Sequence, residues 1–599
     1  MKRIQSLFII LSGLFFIVSC KTDKKEELQF ADLGRPQNTL VIRLEQEADN
    51  LNPLISTTNY GRQVYEQIFS YLLIVDPQTY ELIPQLAKSR PTIEAITSGP
   101  NAGGTAYNFE IFEEAKWDNG EPVTGHDFVF TMKAIFNPKV RSQRMRAFLD
   151  FIQDIQVDPE NSKKFKVITN QRYILSEEAI AGVTPVMPAY HYDPNGLLAD
   201  IPFTDFTDDE KIADLAENDP RIQEFADNFS GAKYGREPGQ VLGSGPYKLT
   251  EWQSGQQIVI ERKTDWWGDA LSEDYPGLVA YPDAMIFKPM ENMATALAEL
   301  KSGALDVMNN IGPKDFGELK ETDFVTEQYN LFTPISLVYY FTYLNGQREK
   351  LSDKRVRRAI AHGINVDQIL ENVYYGYGER LAGPVLPSSE YYNDELALLE
   401  HDPSAARALL EEAGWEDSNN NGIYDKEING ELQEMNLSYL TTAGSEISRN
   451  IGLVIQQNLR QIGVELELDA QEGNVKMGNL RSGNYDICGG GWALSPTLWD
   501  PKQIWHTESQ GSSNRVGFGT AETDAMIEEI RTTLDRERRN ELYKEFQEII
   551  YEEQPYVFFF APTARLAIHK RFEAETTSIF PGFVLNRLKL KGEEALSKN

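Results

Sequence analysis

Apolar positions along this chain recur with two periods. Thr39–Leu44 (TLVIRL) and Tyr107–Phe112 (YNFEIF) alternate as half-buried strands do. Val464–Leu468 and Tyr556–Phe560 read as further strands, and Tyr485–Cys488 as a short apolar one. Elsewhere the spacing is helical. Val64, Ile68 and Leu72 fall on one face, Phe128–Phe136 reads as a helix, and Val356, Ile360 and Ile364 follow a cap at Ser352 or Asp353. Asp402 is an N-cap with Pro403 at the first helical position and Gly414 at the stop. Asp535 opens a helix carrying Leu542, Phe546 and Ile549, stopped at Pro555. Ala48–Pro53, Asp76-Pro77-Gln78 and Asp118-Asn119-Gly120 are turns. Thr124 with Asp127 three residues on is a variant capping box. Helices alternating with strands predict α/β lobes.

The chain has 599 residues, too many for one ordinary core, so about two to four domains are expected. Its net charge of −33 argues against a nucleic-acid partner, because phosphate contact needs clustered Lys and Arg. Residues 1–20 read as a leader: basic Met1-Lys2-Arg3, then apolar Ile4–Val18, too short for a comfortable span. Ile17-Val18-Ser19-Cys20 resembles a bacterial lipobox, which predicts lipidation of Cys20, a tether over 21–37 and a lipid-anchored place in the cell envelope. An uncleaved signal anchor is the alternative. Beyond Cys20 there is one cysteine, Cys488, which reads as a buried small hydrophobe with no partner for an internal disulfide.

The stretch from Tyr485 to Trp505, YDICGGGWALSPTLWDPKQIW, draws most interest. Gly489, Gly490 and Gly491 permit a sharp turn or a close approach to the backbone. Trp492, Ser495, Trp499 and Asp500 follow, as expected of a ligand-contacting loop on a rigid scaffold. Taken singly, each tryptophan reads equally as a core residue capping a sheet.

The order of motifs carries a resemblance. A strand, then KWDNGEPVTGHDFVF from Lys116, then a helix resembles the signature region of the family 5 extracellular solute-binding proteins of bacterial ABC importers. Asn52-Pro53 with Tyr65-Glu66 and Pro84-Gln85-Leu86-Ala87 resembles that family's opening. Gly243-Ser244-Gly245-Pro246-Tyr247, Ala296–Asp306, Leu344-Asn345 with Val356–Ile360, and Asp402-Pro403 through Ala413-Gly414-Trp415 continue it in order, over about Leu40 to Phe560. The resemblance implies a two-lobed periplasmic-binding-protein-like fold of the cluster C type, with a hinge and an extra small domain. Carried over, the first lobe takes 38–60, 181–288 and 556–590, the inserted domain 61–180, and the second lobe 289–555, with crossings near Pro289 and Pro555. It also implies a ligand cleft between the lobes, a permease partner and a monomer. Cleft contacts are expected from Asn59 and Tyr60 on one side and Trp492, Ser495, Trp499 and Asp500 on the other. In peptide-binding members an acid three residues after the tryptophan holds the peptide α-ammonium. Ser495 stands in that place here, and a serine cannot neutralise a buried cation. Either Asp500 takes over, or this chain departs from recognition of free peptide N-termini; the second is preferred.

Asp417, Asn419, Asn421 and Asp425 follow the first part of a calcium loop, but its twelfth position is Ile428 rather than a bidentate glutamate. A polar Asn-Gly hairpin is the preferred reading, with structural calcium as the alternative and no other cofactor expected. The six histidines lack metal-ligand spacing, and there is no G-x-S-x-G elbow and no P-loop. The tyrosines at 339, 340, 343, 374, 375 and 377 read as core and lobe-surface residues. The expected function is therefore non-catalytic capture of a small solute, with short peptides ahead of glycans, opines and nickel chelates. A ligand sensor or chaperone-like peptide holder is the alternative, and a hydrolase the third class.

Overall fold

The computed structural model describes residues 36–592. The expected leader, Cys20 and the expected tether up to residue 35 lie outside the described residues. Two large sheets organise the rest. The first has seven strands in the order Tyr247–Gln253, Gln257–Arg262, Ala284–Pro289, Thr39–Leu44, Val307–Met308, Leu566–His569 and Tyr329–Phe332. Thr39–Leu44 lies in its middle, parallel to Ala284–Pro289, and is buried on both faces. Leu40, Ile42 and Leu44 enter one core, while Val41 packs with Ala296, Leu300 and Phe316 on the opposite face. A doubly covered parallel strand has no solvent side, so the alternation in its sequence does not mark exposure.

The second sheet has six strands, ordered Gly378–Arg380, Tyr556–Pro562, Val338–Leu344, Ile487–Ala493, Asn436–Thr442 and Glu465–Gln471. Helices Lys354–Gly363 and Glu446–Arg460 cover one face, and Ala521–Thr532 and Arg536–Glu553 the other. A four-stranded antiparallel sheet, Thr92–Ala95, Thr105–Glu110, Lys164–Thr169 and Ile152–Val157, packs with helix Gly125–Phe136 into the core of the first lobe.

Sheet membership moves the expected crossings. Val307–Met308 and Tyr329–Phe332 belong to the first sheet, and Tyr556–Pro562 to the second. The chain therefore crosses between Phe332 and Val338 and again between Pro562 and Leu566, not near Pro289 and Pro555. The two crossing segments run antiparallel, with Ser336 N–H donating to the Pro562 carbonyl (2.9 Å) and Ala564 N–H to that of Pro334 (2.8 Å). Proline marks a local break in hydrogen bonding, and says nothing about which sheet receives the next strand.

The family motifs turn out to hold backbone. Asp306, ending the Gly-x-x-Asp turn, is fully buried and accepts from Arg571 Nε (2.9 Å), Arg571 Nη2 (2.8 Å) and Val41 N–H (2.8 Å). Added Cβ atoms at Gly243 and Gly245 would fall 2.3 and 2.6 Å from the Ile68 carbonyl oxygen, which closes helix Asn59–Ile68. Asn345 donates to the carbonyls of Gly483 (3.1 Å) and Tyr485 (2.9 Å). Asp353, Asp402 and Asp535 all cap helices through their carboxylates, and Asp127 accepts from Thr124 N–H (2.9 Å). Two helix readings shift. The first helix begins at a Thr58 cap and ends at Ile68, so Leu72 lies beyond it. In Arg536–Glu553 the buried face runs through Leu542, Phe546 and Ile550, with Ile549 only half-buried.

Of the two readings of the three glycines, the structure takes the close approach and not the turn. Gly489–Gly491 make no turn; they lie inside strand Ile487–Ala493, opposite Thr342, Phe341 and Tyr340. Added Cβ atoms would stand 2.7 Å from Tyr439 Oη, 2.6 Å from a Tyr343 ring carbon and 2.8 Å from a Tyr340 ring carbon. Aromatic rings of neighbouring strands thus fill the space that glycine leaves free.

Candidate functional site

A cavity of about 530 Å³ lies between the two lobes, within the usual size range of small-molecule sites. One wall comes from Thr79–Leu82 and from Ile174, Leu175, Glu177 and Glu178, at the start of helix Ser176–Ala181, which packs in the first-lobe core. The other comes from the loop Leu494–Trp499, from Ser388–Tyr391, and from Arg536 and Arg539 at the start of the long helix Arg536–Glu553. The loop is launched by the glycine strand, whose pairing with Val338–Leu344 sets its direction.

Two of the expected contacts line the cavity. Ser495 is exposed, with its Oγ 3.1 Å from Thr497 Oγ1. Trp499 is almost fully buried, stacked on Tyr543 at 5.8 Å between ring centroids, with the Tyr543 hydroxyl donating to its carbonyl. It therefore combines both readings, a core residue with one edge on the cavity. The other four stand outside the lining. Asn59 is exposed and Tyr60 half-buried in the first turn of helix Asn59–Ile68. Burial raises the Tyr60 phenol, helped by the charge of Glu45. Trp492 pairs with Tyr339 in the sheet and carries the Arg515 guanidinium 5.2 Å over its ring.

Asp500 is already engaged. Its carboxylate accepts from Arg531 Nε (3.0 Å), Tyr173 Oη (2.8 Å) and Lys502 N–H (2.9 Å). Burial works against the Arg531 charge, yet Asp500 and Glu528 outweigh it and raise the guanidinium. Burial, then the Asp500 charge, holds the Tyr173 phenol well above its ordinary value. This group serves the junction between lobes rather than the ligand space. Tyr173, in the run before Ser176–Ala181, packs against the cores of both lobes, whereas Arg531 lies in the second-lobe helix Ala521–Thr532. Beside it Ile174 N–H donates to the Arg531 carbonyl (2.9 Å), and Ile174 is buried in the second-lobe core.

Glu178 crosses the same junction, accepting a hydrogen bond from the Thr497 hydroxyl. Burial raises its carboxyl, and the Thr497 bond and the charge of Arg62 only partly offset that. Glu178, Thr497, Tyr391 and Arg539 carry no motif in the sequence. Glu178 sits in an ordinary helix turn, and Arg539 in a helix start rich in charge that reads as a solvated face. Cys488 is fully buried, and burial pushes its thiol up to about 11, as suits an inert core residue.

At the loop 417–425 the oxygens are used locally. Asp417 accepts from Asn421 and Gly422 N–H (3.0 Å each), Asn419 from Asn421 N–H (3.0 Å), and Asn421 from Ile423 N–H (2.8 Å). Asp425 is buried and binds the Ser418 hydroxyl (2.7 Å). This is an Asx-turn loop leading into the hairpin Asp425–Ile428 with Glu431–Glu434. Among the described residues no group of three or more His, Cys, Asp or Glu side chains is arranged to hold a metal. None of their helices is long and apolar enough to cross a membrane.

Comparison with known proteins agrees with this architecture. The oligopeptide-binding protein AppA of Bacillus subtilis is 25% identical over 96% of this chain and 96% of its own. The structure of that protein with a nonapeptide covers 92% of this chain and 98% of its own, at a TM-score of 0.63. NikA from Brucella suis, in complex with Fe(III)-EDTA, covers 92% of this chain and all of its own, with a TM-score of 0.71 and 19% identity. These structural likenesses establish the two-lobed fold. The family profile for bacterial extracellular solute-binding proteins, family 5, matches residues 81–514, most of the chain. With that match, the interlobe cavity and the two-sheet fold have one reading: the chain belongs to the bacterial extracellular solute-binding proteins of family 5, which bind solutes rather than catalyse reactions.

Proposed function

We propose that the chain captures a short peptide in the interlobe cavity and passes it to the permease of an ABC importer. It acts as a monomer held at the envelope by a lipid on Cys20. The observation that carries the reading is the cavity itself: about 530 Å³, walled by both lobes, lined by aliphatic side chains together with charged, hydroxyl and aromatic ones. The oligopeptide-binding relative of matching length supports a peptide as the solute. The Asx-turn loop at 417–425 is left out of the site.

The test is thermal unfolding of the chain against free peptides of two to five residues, oligosaccharides and nickel chelates. A ligand of the folded state raises stability by RT ln(1 + [L]/Kd), about 2.7 kcal/mol at a hundredfold excess over Kd. A rise with peptides alone is expected. A rise with sugars or chelates alone would overturn the assignment. Peptide-dependent association with a reconstituted permease separates an importer component from a sensor or peptide holder.

A further inference from the structure

The charged groups around the cavity are not equivalent. Glu177 pairs with Arg90 (2.7 Å), and Glu390 with Arg536, which also reaches Glu81 (3.9 Å). Two lining charges lack such a partner among the described residues. Glu178 has no Lys or Arg nitrogen within 4.0 Å, and its carboxylate accepts from the neutral Thr497 hydroxyl. The nearby Arg62 is committed to Glu66 at 2.6 Å. Arg539, only 7% exposed, has no carboxylate partner. Its Nη1 donates to the carbonyls of Thr533 and Leu534 (3.2 Å each), and its buried Nε has no hydrogen-bond partner. Tyr391 lies within electrostatic range of both, and the two charges act on its phenol in opposite senses. Glu178 stands on the first-lobe wall and Arg539 on the second.

An uncompensated charge out of water is costly, and an unfilled buried donor adds to the cost. Here one anion and one cation meet that description in one cavity, and they make no ion pair with each other. A solute carrying both charges would satisfy both at once and draw the two walls together.

We propose that Glu178 takes the ammonium group and Arg539 the carboxylate of a zwitterionic solute, a short peptide with both termini free. Glu178 then supplies the acid that Ser495 does not, and Asp500 stays with Arg531. The assignment rests on the peptide reading above.

The experiment titrates the full chain, purified in detergent, with a synthetic tripeptide mixture in three forms: free, N-acetylated and C-amidated. Each end-blocked form is expected to bind at least about 30-fold more weakly, the low end for removing one partner of a buried charge pair. Glu178→Gln should bring free peptide down to the affinity of the acetylated form, with no further loss for the acetylated form itself. Arg539→Met should do the same for the amidated form. If Arg539→Met fails to fold for want of its carbonyl contacts, the amidated form on the unaltered chain still decides the matter. Acetylated or amidated peptide binding within about threefold of free peptide would overturn the charge assignment and leave the peptide reading standing. An unaltered chain that binds none of the three forms would overturn the peptide reading itself, and this inference with it.

Discussion

Tyr173→Phe removes one hydroxyl and leaves the ring, which packs edge-on against Phe151 and beneath the Arg531 guanidinium at 5.0 Å. What is lost is the 2.8 Å bond to the Asp500 carboxylate across the junction of the lobes. A hydrogen bond to a charged group contributes about 1.5–3 kcal/mol. Tyr173 is half-buried and Asp500 keeps Arg531, so the low end applies, about 1.5 kcal/mol or roughly tenfold in the closed-to-open ratio. Apparent affinity scales with the fraction of protein in the binding-competent form. A chain that is mostly open without ligand should therefore lose about tenfold in affinity. Free and N-acetylated peptides should suffer alike, because the hydroxyl acts on closure and not on the ligand terminus. Calorimetric titration measures the loss, and small-angle scattering of the ligand-free chain reports the open fraction. An open ligand-free chain whose affinity is unchanged within twofold by the substitution would show that this contact does not hold the lobes together.

Asp306→Ala should destabilise the fold by about 3–5 kcal/mol by stranding the Arg571 charge. With an unfolding entropy of ~2.1 cal/mol/K per residue over residues 36–592, that lowers the melting temperature by about 3–4 °C, and an unchanged melt would refute the buried-pair argument. Gly491→Ala places a Cβ 2.8 Å from the Tyr340 ring and should cost about 1–3 kcal/mol of stability, read by urea denaturation. Glu178 is an acid whose folded-state pKa is raised, so the ligand-free chain binds more protons folded than unfolded just above the ordinary glutamate range. Its stability should fall as pH rises from the ordinary glutamate value through the raised one. Glu178→Gln should abolish that limb and, at neutral pH, stabilise the ligand-free chain while weakening peptide binding; melting curves across that range check the sign. Cys488 should resist thiol reagents at mildly alkaline pH until the chain is unfolded, since burial holds its thiol up at about 11.

Local signals in the sequence settled what is local. The caps at Asp353, Asp402 and Asp535 stand where Asp precedes an apolar helical stripe, because a side-chain oxygen two or three residues from an unpaired amide is enough to start a helix. The strands Thr39–Leu44 and Tyr556–Pro562 and the burial of Cys488 were legible for the same reason: apolar runs must leave water. The order of motifs carried the family, and the structure explains why. Asn345, Asp306 and the Gly243–Gly245 turn bind backbone that any member of the fold must hold.

Only the tertiary structure decided what depends on partners distant in sequence. Gly489–Gly491 read as a turn or as a close approach until the rings of Tyr340, Tyr343 and Tyr439 were seen against them. Asp500 looked available until Arg531 and Tyr173 were found on it, from 31 and 327 residues away. Glu178 and Arg539 carry no pattern at all. Their interest lies in the ion pairs they lack, and the absence of a partner is a property of packing that no run of neighbouring residues encodes.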